Sequence, residues 1–189
     1  MRKSMVVALV LMGACAMGAA VATADEKKSE KKAAVSIRDD CDPTDPAWAP
    51  TGGCTLQGGA VTFSEFNQLL FSPNSAGSPI GHPAWRMDPT YSRLESDGTV
   101  RVRNEGGRGH TFTEVANFGG GFVPPLNGTL IVAPECAAAA ANPPLAPGDR
   151  TEVTGLSVGN HLFQCCIHPW MRILVKVEAE DSSKEGHKH

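Results

Sequence analysis

In the second half of the chain apolar residues fall two apart, the period of a strand with one buried face. Thr99-Val100-Arg101-Val102-Arg103-Asn104 alternates apolar and polar side chains, and Glu105-Gly106-Gly107-Arg108-Gly109 then turns the chain. Residues 110–115, 151–154, 161–165 and 172–178 are further short runs rich in β-branched or aromatic residues, so the chain is expected to be all-β from Leu94 onward. Residues 117–148 hold many glycines and prolines around a run of alanines after Cys136, which predicts a long covering excursion with at most one or two helical turns. One helix precedes the strands. Within residues 62–71, Phe63, Phe66, Leu69 and Leu70 recur at helical spacing, and Thr62 and Glu65 stand in the capping-box relation.

The N-terminal pattern is different. Arg2 and Lys3 precede an apolar stretch, and Ala22-Thr23-Ala24 is a small-residue cleavage sequence, so residues 1–24 are expected to be a secretory signal peptide. Cys15 within it offers a lipid-anchoring alternative. No later stretch reaches the roughly 18 apolar residues of a spanning helix. Residues 25–60 are expected to form a charged leader (DEKKSEKK) and then an irregular segment pinned by a disulfide. Residues 61–178 are expected to hold the folded domain with its own N-terminal extension, and residues 179–189 a polar disordered tail containing His187 and His189.

Export changes what charge and cysteines mean. The chain has 17 basic against 20 acidic residues, and losing Arg2 and Lys3 makes it more acidic, which disfavours a nucleic-acid partner. Beyond Cys15, five cysteines remain: Cys41, Cys54, Cys136, Cys165 and Cys166. An odd number outside the cytosol marks one thiol for another task. If one of the adjacent pair binds metal, four are left and three connectivities are open. Cys41 with Cys54 is favoured because the intervening loop is local, and Cys136 with Cys166 follows by elimination.

Chemistry concentrates in Phe163-Gln164-Cys165-Cys166-Ile167-His168-Pro169-Trp170-Met171, where C-x-x-H-x-x-M brings a thiol, an imidazole and a thioether into one turn between two strands. Soft sulfur and imidazole suit copper, and two histidines, one cysteine and a weak axial methionine make the blue-copper arrangement. Pro169 restricts His168, and Trp170 would cover the turn. Neighbours on a strand point to opposite faces, so only one cysteine can reach the metal; the spacing selects Cys165, on the face of Phe163. The second histidine is His110, at the start of a strand after a glycine-rich turn. His82, which also precedes a proline, is an alternative. His161 shares a face with Cys165 but lies about 13 Å along the strand, too far for the same ion.

With His110, Cys165, His168 and Met171 together, residues 99–178 resemble the cupredoxin family, the plastocyanin-like blue-copper proteins, and the short His-Pro-Trp-Met spacing is most similar to amicyanin. The resemblance implies a Greek-key β-sandwich with one type 1 copper ion at one end, held by those four residues. It also implies an electron carrier whose protein donor and acceptor dock near His168 and Trp170, with Phe122, Pro124 and Pro125 completing the apolar patch. Two positions depart from the family: Thr111 stands where plastocyanins have a bracing Asn, and Cys166 directly follows the ligand cysteine. The segment before Thr99 is expected to pack on the sandwich as an extension.

A periplasmic or extracellular monomer follows as the expectation, and not an enzyme, because no histidine flanks Cys165 to link a second copper centre. A copper chaperone or store is the alternative; a zinc site would lack reversible one-electron chemistry.

Overall fold

The computed structural model describes residues 30–71 and 81–179. The expected signal peptide, Cys15, the first leader residues, the loop at 72–80 and the tail with His187 and His189 lie outside them.

Among the described residues seven strands carry the fold: β1 Glu30–Arg38, β2 Arg86–Asp88, β3 Tyr91–Asn104, β4 Thr113–Val115, β5 Arg150–Val153, β6 Gly159–Gln164 and β7 Arg172–Glu178. Two short helices, α1 Phe63–Leu70 and α2 Pro134–Ala139, join them. The hydrogen-bonded order is β2-β1-β3-β7-β6-β4, with β5 also on β3. β3 belongs to both layers. Its residues 91–95 pair in parallel with β7, whereas 99–104 pair with β1 and 100–103 with β5. Because the two halves of one strand have different neighbours, the sheet folds over into an all-β sandwich, and inward side chains of both layers meet. Val35, Ile37, Val100 and Val102 share one cluster with Phe163, Ile173, Val175 and Val177. Each side chain of this size adds about 1.5–3 kcal/mol when fully buried.

The alternating runs of the second half became β4 to β7 and the latter part of β3. The N-terminal part differs from the sequence reading. Glu30, Lys31 and Lys32 belong to β1 rather than to a leader, because Ala33, Val35 and Ile37 alternate inward and β3 supplies the backbone partners, while Lys31 Nζ meets Asp97 at 2.8 Å. β3 likewise starts at Tyr91, earlier than its clear alternation, with Ser92 and Glu95 among its buried positions.

Residues 39–71 then run through a 3-10 turn, Pro46–Thr51, and α1. Thr62 Oγ1 accepts from the Glu65 N–H at 3.2 Å, the cap that the sequence predicted, and α1 buries Phe66 and Leu70. Phe66 lies 4.6 Å from the Trp85 ring, and Trp85 stacks at 5.7 Å on Trp48. The Cys41–Cys54 disulfide fastens this segment.

Candidate metal centre

Two chain segments meet at one end of the sandwich. β6 ends at Gln164 and β7 begins at Arg172, so Cys165, His168 and Met171 occupy the intervening turn. The Cys165 N–H donates to the Met171 carbonyl at 3.0 Å, and the Met171 N–H to the His168 carbonyl at 2.9 Å, which ties the turn at both ends. Gln164, fully buried, holds the neighbouring loop by exchanging two hydrogen bonds with Gly119 at 3.0 and 3.2 Å. On the other segment, His110 bridges to Leu145 through paired backbone hydrogen bonds of 3.1 and 2.8 Å, so its backbone is fixed before its side chain does anything.

These constraints bring His110, Cys165 and His168 together, all buried, with one ligand atom of each within 4.8 Å of the others. Cys165 Sγ lies 3.8 Å from His110 Nδ1 and 3.7 Å from His168 Nδ1. Met171 is 1 % exposed beside them. A metal about 2.0 Å from nitrogen and about 2.3 Å from sulfur, with about 120° between the bonds, separates the two atoms by about 3.7 Å. The two observed N···S separations therefore fit a metal shared by the sulfur and each imidazole, and the soft thiolate with two imidazoles fits copper chemically.

Cys165 is free, while Cys41–Cys54 and Cys136–Cys166 are disulfides. Thr111 supplies bracing where Asn was missed: its N–H donates to Cys165 Sγ at 3.4 Å, and its Oγ1 accepts from the Cys166 N–H at 2.7 Å.

Sequence reasoning missed Asp39. Its carboxylate lies 2.8 Å from His110 Nε2 and accepts from the N–H groups of Gly107 at 3.0 Å and Arg108 at 3.1 Å. Both the Asp39 and His110 side chains are fully buried. A side chain at Gly106 would strike the carboxylate, its Cβ falling 2.1 Å from Oδ2, so glycine there lets the turn approach. The usable signal was a buried histidine needing a partner for its second nitrogen; nothing in the spacing named Asp39, 71 residues away.

Burial opposes charge on His110, but the bond to Asp39 and the Cys165 sulfur outweigh it and raise its pKa to about 9. Burial likewise opposes the Cys165 thiolate, yet the two imidazoles hold its pKa well below the usual thiol value. His168 is pushed down, chiefly by burial, although Cys165 pulls the other way. A thiol already poised to ionise is the state a metal ligand requires.

No protein-family model and no curated protein matches the chain. Solved structures do. A purple cupredoxin from Nitrosopumilus maritimus is 24 % identical over 51 % of this chain and 86 % of its own, with a TM-score of 0.36. The reduced Cu(I) form of an amicyanin mutant at pH 4 is 20 % identical over 49 % and 73 %, at 0.34, and an oxidised amicyanin mutant 19 % over 49 % and 73 %, at 0.35. The solved structures it resembles are cupredoxins. The candidate centre is covered: His168 is only 4 % exposed, with the Phe66 ring 6.5 Å and the Trp170 ring 5.5 Å away. The alternative candidate His82 is not part of this cluster, nor is His161, which was expected to lie too far along the strand. His82 is buried among Phe66 and Trp85, its Nδ1 accepting from the Ala84 N–H. His161 bonds Glu114 at 2.6 Å and the Ser157 carbonyl at 2.8 Å.

Proposed function

We propose that the protein is an exported cupredoxin that holds one type 1 copper ion through His110, Cys165 and His168, with Met171 as a weak axial donor, and carries single electrons between redox proteins. The observation that carries this reading is the buried thiol, free of any disulfide, facing two imidazole Nδ1 atoms at 3.7 and 3.8 Å. When bound, copper supplies a one-electron couple between Cu(II) and Cu(I).

The chain's own residues do the rest. Asp39 fixes the ring of His110 by its far nitrogen, leaving Nδ1 toward the sulfur. The Thr111 N–H helps hold the Cys165 sulfur, and the turn bonds of Met171 hold the loop. Burial keeps water away. Donors fixed on several sides shift little between oxidation states, so reorganisation is small and exchange is fast. Redox partners would dock near His168 and Trp170, with Phe122, Pro124 and Pro125 around them. Two disulfides support an oxidising compartment outside the cytosol, and among the described residues no helix is long and apolar enough to cross a membrane.

The test is a visible spectrum and a voltammogram of the copper-loaded protein. An intense thiolate-to-copper band that bleaches on reversible one-electron reduction is expected. A colourless copper complex, or copper lost on reduction, overturns the carrier and leaves storage or delivery.

A further inference from the structure

A cavity of about 430 Å³ adjoins the centre. The 3-10 turn, α1 and its end contribute Trp48, Phe63, Phe66 and Phe71, a second 3-10 turn at Pro124–Leu126 contributes Leu126, and the turn before β7 contributes Ile167. Arg108 and His168 also line it. Size and lining are those of a small-molecule site, which is mostly apolar with a few polar groups that fix orientation.

Arg108 is the unusual member. Its guanidinium sits 4.6 Å over the Trp48 ring and donates to the carbonyls of Gly53 and Thr51 and to Thr51 Oγ1, all neutral acceptors. Among the described residues no carboxylate forms a salt bridge with it. Asp39, which exerts an attraction on it, is bonded to His110 and takes from Arg108 the backbone N–H, not the guanidinium. Three bonds leave two of the five guanidinium N–H donors available. A partly buried guanidinium with no carboxylate bonded to it, beside aromatic rings, is complementary to an anion carried on an aromatic ring.

We propose that this cavity binds a small planar aromatic carboxylate, its ring among Phe63, Phe66 and Leu126 and its carboxylate on Arg108. Phe71, 62 % exposed, leaves an aromatic edge at the surface for the entering ring. Because His168 shares the cavity wall, the occupant touches a residue of the candidate centre. Binding itself requires no copper, so this site stands or falls separately from the electron-carrier reading.

The test is calorimetric titration of the exported protein, metal-free and copper-loaded, with 2-naphthoate, with the neutral 2-naphthalenemethanol and with acetate. Saturable binding of 2-naphthoate is expected, with the alcohol about tenfold or more weaker and acetate showing none, since neither ring nor charge suffices alone. Leu126→Trp adds bulk to a side chain that lines the cavity and should weaken naphthoate binding at least about tenfold while the protein keeps its circular dichroism. Arg108→Gln should make acid and alcohol bind alike; if that variant fails to fold, Leu126→Trp and the acid-to-alcohol contrast still decide. No saturation by naphthoate, equal affinity of wild type for acid and alcohol, or undiminished binding by Leu126→Trp overturns the proposal. The visible band of the same copper-loaded samples is recorded separately, so loss of the copper reading and loss of this site are told apart.

Discussion

His110 and His168 face the same sulfur at nearly the same distance, yet the fold treats them in opposite ways. His110 is backed by a buried carboxylate and its pKa is raised to about 9 despite burial. His168 has aromatic rings around it, at 5.5 and 6.5 Å, and burial pushes it down. One imidazole is anchored by charge and the other by exclusion of water. The residues behind both come largely from outside the turn at 165–171: Asp39 follows β1, and Phe66 lies in α1. The extension is thus the wall on which the centre rests.

Five substitutions test that contrast. Cys165→Ser removes the partner common to both imidazoles and should abolish the thiolate-to-copper band entirely; a surviving band reassigns the thiolate. Asp39→Asn makes His110 resemble His168, because an amide cannot supply the charge and acceptors used by His110, Gly107 and Arg108. It should cost about 3–5 kcal/mol in denaturant unfolding and weaken copper about 10–100-fold. Unchanged copper affinity would show that the ring is held by its backbone bridge alone.

Cys166→Ser leaves both imidazoles in place. Its band should persist while chemical denaturation records a loss of about 2–5 kcal/mol from the missing disulfide with Cys136. Met171→Leu acts on the His168 side of the turn; it should retain copper, change stability by under about 1.5 kcal/mol, and raise the reduction potential in voltammetry, because losing a weak donor disfavours Cu(II) more than Cu(I). A lowered potential removes Met171 from the ligand set.

The smallest effect concerns His161, a surface version of the His110 pair. Burial opposes its charge, but the bond to Glu114 at 2.6 Å and the Ser157 carbonyl raise its pKa. The folded pKa exceeds the unfolded value of about 6.5, so the pair's stabilisation is complete below about pH 6.5. It fades as pH rises through the raised folded value. Glu114 is half exposed, so solvent screening limits the contribution to about 0.2–1 kcal/mol. Glu114→Gln should flatten that part of the stability-versus-pH curve, read by urea unfolding between about pH 5.5 and 9. An unaltered slope would detach it from the pair.

Much was legible in local pattern. Alternation gave β6, β7 and the latter part of β3, helical spacing with Thr62 and Glu65 gave α1, and an odd cysteine beside Cys166 isolated Cys165. The cysteine pairing Cys41–Cys54 and Cys136–Cys166 is present as favoured. Beginnings of strands were less legible: Lys31 and Lys32 read as leader because their charges masked a strand whose backbone partner lies in β3.

Local pattern accounts for the turn that carries Cys165, His168 and Met171, since seven residues with a proline and flanking strand periodicity fix which side chains point inward. What stands behind those side chains comes from distant parts of the chain. His82 and His168 both precede a proline and both pack near Phe66, but only His168 meets a thiol. Asp39 reaches His110, and Phe66 reaches His168, across tens of residues. Local sequence sets side-chain direction through backbone geometry, whereas convergence in space depends on how distant layers close over one another.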